Sequence, residues 1–169
     1  MNTIIELKTG SGVLPYIDHP RDKDTVLIFL DEDEFQHAYS NRLSYRIQQR
    51  EKGFDCKLHS ASYLPTMAKV WSYEFHFMDQ IEGVKYPDIY ELHNQILAEI
   101  NKWVEQRRLY LREAKGLYHL YTTLAMWRNG NYELTSDDIA RINRFHDRCA
   151  TDKDFDIMFK MLEEENGKK

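Results

Sequence analysis

Cysteine is scarce: two residues, Cys56 and Cys149, in 169. Their wide separation excludes the dense spacing of a disulfide framework or a zinc ribbon, and a reducing cytoplasm is the simplest expected compartment. No apolar run approaches the length that spans a bilayer, and the first residues carry no apolar segment of signal-peptide type. No P-loop, zinc motif, Ser-His-Asp arrangement, internal repeat or low-complexity tract is visible. An excess of positive charge is also missing. The formal net charge of −5 argues against indiscriminate nucleic-acid binding, although a local basic strip remains compatible with it. What is present is ordinary globular material: 42% hydrophobic, 30% charged, with eleven Tyr, eight Phe and three Trp.

Patterning changes along the chain. Thr3–Lys8 and Thr25–Leu30 read as strands. Asp31 to Glu34 is an acidic start for a helix through Phe35, Ala38 and Leu43, since carboxylates favour the positive end of the helix dipole. After Gly53, Phe54–His59 alternates, with Phe54, Cys56 and Leu58 on the buried face and Asp55 on the other. Ser60-Ala61-Ser62 can cap a helix running towards Trp71.

From Pro87 the period becomes helical. Ile89, Leu92, Ile96, Ile100 and Trp103 mark one helix; Leu117, Leu120, Tyr121, Leu124 and Trp127 mark a second, closed by Asn129-Gly130-Asn131. Thr135 or Ser136 caps a third over Asp137–Cys149, and a fourth covers about Phe155–Leu162 before a frayed tail. The expected fold class is therefore α/β in the α+β sense: a minimal mixed sheet in residues 1–86, then a helical lobe in 87–169.

Gly10 to Asp24, GSGVLPYIDHPRDKD, carries the chemistry. A Gly-Ser pair follows the first strand, and Asp22 and Asp24 open the second. Residues two apart on a strand share a face, so both carboxylates project together, as divalent ions require. A glycine-rich turn nearby can offer backbone N–H groups to a phosphate. The same stretch is also a plain charged turn preset by Pro20.

This arrangement resembles the nucleotidyltransferase superfamily that includes DNA polymerase beta. In particular it is similar to a bacterial and phage branch with a G-S-x-A-Y-G-x-x-T-P-x-S-D-x-D pattern, in register without a gap. Pro15 and Arg21 depart from it, standing where the branch has glycine and serine. The resemblance implies a metal site of Asp22, Asp24 and a third acid, Asp55, which opens a matching D-x-x-h-x-S segment. It implies Mg²⁺ as cofactor and an NTP as substrate, with Gly10, Ser11 and Lys115 as nucleotide contacts. Lys115 lies four residues before His119, as on a helix in that branch. The implied activity is transfer of NMP to a hydroxyl on a protein, an RNA or a small molecule, in the cytoplasm and with no membrane partner. A decayed member of the same fold that binds a partner is the alternative. Arg141 and His146 match the R-x₄-H pattern of HEPN-type ribonucleases, a third reading. Arg107, Arg108 and Arg112 form a basic strip suited to phosphate, or a solvated helix face.

Overall fold

The structure is a computed structural model that describes residues 4–9, 14–18, 24–63, 72–77, 86, 88–114 and 116–168. It is α+β. Among the described residues, strands β1 (Ile4–Thr9), β2 (Asp24–Phe29) and β3 (Asp55–Ser60) form one mixed sheet in the order β1-β2-β3. β1 runs antiparallel to β2, and β2 parallel to β3. The parallel pair needs a crossover, which helices α1 (Glu32–Ser40) and α2 (Arg42–Glu51) supply. Helices α3 (His93–Arg107), α4 (Leu117–Asn129), α5 (Ser136–His146) and α6 (Asp152–Gly167) follow.

The chain forms two compact units. One comprises Met1–Pro15, Pro20–Ala68 and Glu74–Pro87; the other comprises Tyr16–His19, Lys69–Tyr73 and Asp88–Lys169.

In the first unit, α1 starts where the sequence places it. The Asp31 carboxylate accepts the Glu34 N–H at 2.8 Å, and Glu32, Asp33 and Glu34 fill the first turn. The helix does not continue through Leu43 as expected. Asn41, at φ −113° and ψ 24°, ends α1, its N–H bonding Ala38 O at 3.0 Å, and α2 restarts at Arg42. The break lets both Phe35 and Tyr45 reach the sheet, where they lie 6.0 and 6.1 Å from the Phe29 ring. Gly53, at φ +86°, ends the crossover in a backbone conformation that L residues rarely adopt. β3 then alternates as predicted: Cys56, Leu58 and Ser60 are buried, Asp55 and Lys57 exposed. Leu27, Phe29, Ala38, Cys56 and Leu58 form the core beneath the crossover.

Gln49 also lies in this interior, 5% exposed, and its Oε1 has no hydrogen-bond partner among the described residues. A buried acceptor without a donor costs about 1–3 kcal/mol. Gln49→Met keeps the shape and removes the amide, so it is expected to raise stability by about 1 kcal/mol. Urea unfolding with an unchanged slope checks this; a loss of stability would show that the amide is satisfied in solution.

The second unit is organised on α4, which buries Leu117, Leu120, Tyr121, Leu124, Ala125 and Met126. Gly130 N–H caps its end on Met126 O at 2.8 Å, and Asn131 and Tyr132 follow with positive φ, the turn that Asn129-Gly130-Asn131 signals. Ile89 and Trp127 lock the approach to α3: Trp127 Nε1 donates to Ile89 O at 2.8 Å. Thr135, not Ser136, caps α5, in a reciprocal pair with Asp138; Thr151 and Asp154 repeat the device on α6. The C-terminal segment does not fray after Leu162. α6 continues to Gly167 because Glu165, 4% exposed, accepts from His93 Nε2 at 2.7 Å and from Lys168 Nζ at 2.9 Å. The Asn101 and Asn166 amides also pair, at 2.7 and 3.0 Å. The helix expected after Ser60 is a 3₁₀ turn, Ala61–Tyr63; residues 64–71 lie outside the described residues.

Candidate functional site

Strand register brings two of the predicted acids together. Asp24 is paired with Asp55 across the parallel β2–β3 ladder, and with Thr9 across the antiparallel β1–β2 ladder. Neighbouring strands lie about 4.8 Å apart, and paired residues project to the same face. Asp24 and Asp55 are therefore side by side at one end of the sheet, although 31 positions separate them in the chain. Their face is opposite the one that α1 and α2 cover: the covered face carries Leu27, Phe29, Cys56 and Leu58, and the acid face carries Val26, Ile28, Lys57 and His59.

Like charges directly opposed on a sheet are destabilising. The first unit keeps two of them in register, with Asp24 half-buried and Asp55 exposed. Two hard oxygen donors on adjacent rigid strands fit a Mg²⁺ ion, which prefers carboxylates and retains water in its remaining positions. Further along the face, burial pushes the His59 imidazole below its ordinary pKa and the Lys57 ammonium adds to the shift.

Asp22, Gly10, Ser11 and Lys115 lie outside the described residues, as does Arg21. Gly10 directly follows Thr9, the β1 residue in register with Asp24. Among the described residues no group of three His, Cys, Asp or Glu side chains is placed to hold a metal. The connection between the Gly-Ser pair and Asp22 has a feature that no motif signalled. Asn143 of α5 donates from Nδ2 to Tyr16 O at 2.7 Å and accepts the Asp18 N–H at Oδ1 at 2.8 Å. One amide thus closes on both sides of Ile17, which is itself buried. An asparagine facing inwards from an amphipathic helix was the one available signal.

The other candidates are engaged in packing. His119 Nδ1 hydrogen-bonds the hydroxyl of fully buried Tyr73 at 2.5 Å. Arg141 is held by Asp154 Oδ1 at 2.9 Å and by the Tyr121 hydroxyl at 2.9 Å. His146 is 7% exposed, 3.0 Å from Asp147 Oδ1 and edge-on to Tyr118. In the basic strip, Arg112 contacts Asp152 at 2.6 Å above the Phe155 ring, and Arg108 faces Glu105 at 3.5 Å. These two arginines border an open groove of about 640 Å³ with Tyr110 and Phe159, and acids of the same unit offset their charge.

Compared with protein-family models, curated proteins and solved structures, the chain matches none. No helix among the described residues is long and apolar enough to cross a membrane.

Proposed function

We propose that the chain is a nucleotidyltransferase-like protein that moves NMP from an NTP to a hydroxyl acceptor with Mg²⁺. The observation that carries the reading is the in-register placement of Asp24 and Asp55 at the sheet end where β1 runs into Gly10. Asp24 and Asp55, with Asp22 beside them by the resemblance, would hold Mg²⁺, which when bound neutralises the triphosphate and favours in-line displacement at the α-phosphorus. By the resemblance, Ser11 and the backbone N–H groups around Gly10 and Gly12 would hold the β- and γ-phosphates. Asp55, the exposed member of the pair, would help hold the ion that activates the acceptor hydroxyl. The hydroxyl oxygen would form the new bond to the α-phosphorus as the bond from that phosphorus to the bridging oxygen breaks; the hydroxyl proton would pass to solvent and pyrophosphate would leave.

A decayed member of the same fold, binding a nucleotide or a partner without turnover, is the second reading. Pro15, exposed at the turn after Leu14, favours it, since proline fixes φ where the branch keeps glycine. The base and the acceptor are set by pocket contacts that the acid pair does not specify.

The test is calorimetry with Mg²⁺ and each NTP on the wild-type protein, Asp24→Ala and Asp55→Ala. Each substitution should weaken metal-dependent nucleotide binding at least about 10–100-fold, the loss that even a supporting partner of a ligand brings. Equal heats from all three proteins would reject the site. Incubation with labelled NTP and candidate acceptors separates the readings: transfer abolished by Asp24→Ala supports the enzyme, and binding without transfer supports the decayed form.

A further inference from the structure

The loop Leu14–Asp18 has a buried interior: Leu14, Tyr16 and Ile17 are 3%, 8% and 6% exposed. Loops usually run over the surface, where water satisfies their backbone, so a buried one needs partners from the protein. Asn143 supplies them. Its Nδ2 donates to Tyr16 O at 2.7 Å and to Ile139 O at 2.9 Å, and its Oδ1 accepts the Asp18 N–H at 2.8 Å. Both amide protons and the carbonyl are engaged, and a flipped amide would set its oxygen against two carbonyls. Asn143 is itself buried, so little water competes for these bonds. On the loop it grips main-chain atoms alone.

What it grips joins two candidate site residues. Residues 12–21 connect Ser11, the proposed phosphate contact, to Asp22, the proposed metal ligand. Tyr16–His19 groups with the second unit, whereas the chain up to Pro15 and from Pro20 groups with the first. A free connection of that length would have to be ordered whenever a nucleotide bound, at a cost in conformational entropy. Fixing residues 16 and 18 divides it into two short spans, 12–15 and 19–21, and removes part of that cost beforehand. We propose that Asn143 is a positioning residue for the nucleotide site, holding the Ser11–Asp22 connection from α5. The inference rests on the nucleotidyltransferase reading and adds to it a residue that acts through the backbone.

Hydrogen exchange and calorimetry on the same proteins test it. In the wild type the Asp18 amide should exchange slowly. Asn143→Ala should expose that amide and weaken Mg²⁺-dependent binding of ATP, GTP, CTP or UTP, whichever the wild type takes, at least about tenfold. Asn143→Asp keeps an acceptor for the Asp18 N–H and loses the donor to Tyr16 O. It serves where alanine does not fold, and its affinity should lie between the other two. Asp154→Asn lowers the stability of the same unit through Arg141 and Arg144 rather than through the loop, and should bind as the wild type does. A wild type that gives no heat with any NTP and Mg²⁺ would sink the nucleotidyltransferase reading, and the positioning role with it. A wild type that binds, beside an Asn143→Ala or Asn143→Asp protein of equal affinity, would overturn the positioning role alone. So would fast exchange of Asp18 in the wild type. An Asp154→Asn protein that loses as much as Asn143→Ala would also overturn it, by assigning the loss to general stability.

Discussion

Asp154→Ala is expected to destabilise the second unit by about 3–5 kcal/mol, the cost of removing one partner from a buried ion pair. The Asp154 side chain is 2% exposed and receives four hydrogen bonds. Arg144 supplies two at 2.8 Å, Arg141 one at 2.9 Å, and the Thr151 N–H one at 2.9 Å. Truncation leaves Arg141, only 15% exposed, with the Tyr121 hydroxyl but no counter-charge; Arg144, 37% exposed, recovers water and loses less. The bond from the Thr151 N–H goes too, worth about 1 kcal/mol, while the Thr151 hydroxyl keeps the backbone N–H of residue 154. Asp154→Asn keeps an acceptor for the Thr151 N–H while deleting the charge, so its cost should fall below that of Ala by about the worth of that bond. Urea unfolding followed by tryptophan emission reads this unit directly, since Trp103 and Trp127 both belong to it. A loss under about 1 kcal/mol for Asp154→Ala would mean the pair is not buried in solution.

The acid limb of stability should be set largely by Asp138 together with Asp154. Burial by itself would raise the Asp138 pKa, but donors from Asn129, the Thr135 N–H, Tyr121 and Arg128 outweigh it and bring the group down to about 2. Those donors stand at 2.8, 3.1, 2.8 and 2.6 Å. Asp154 is held lower still, chiefly by Arg144. For a carboxylate whose folded pKa is depressed, the stabilisation is complete above the unfolded value near 3.9 and is lost as pH falls towards the folded value. Asp138 alone should therefore contribute about 2–3 kcal/mol at neutral pH that disappears between about pH 4 and pH 2. Asp138→Asn is expected to cost about 2–4 kcal/mol at pH 7 and to flatten the profile over that window by one titrating group. Urea midpoints from pH 7 to pH 2.5 check both parts. A variant with the wild-type slope would show that Asp138 is not the group responsible.

Both predictions concern side chains that the sequence does not mark as special. Thr135 and Thr151 with their acids three residues later are legible as helix starts, because capping is a local reaction of a side chain with its own backbone. That the same acids also collect arginines from neighbouring helices is not legible. In the sequence Arg141 stands out instead for its spacing to His146. A pattern of one arginine and one histidine carries no information about burial, and in the structure Asp154 and Tyr121 hold the arginine while the histidine packs on Tyr118.

Local signals were sufficient wherever the physics is local. Alternation of Cys56 and Leu58 against Asp55 and Lys57 specified the third strand and its faces, and the acidic run with Asp31 specified where α1 begins. The helical period of Leu120, Tyr121 and Leu124 located α4, and Gly130 ended it. Tertiary structure decided what depends on partners distant in the chain. Asn41 interrupts the crossover so that Phe35 and Tyr45 can both meet Phe29; Glu165 extends α6 because His93 waits for it; Asn143 takes hold of the Tyr16–Asp18 backbone. The candidate site lies between these cases. Sequence spacing placed Asp24 and Asp55 at strand starts, but only the parallel register of β2 and β3 made them neighbours, since register is set by the packing of whole faces and not by either strand alone.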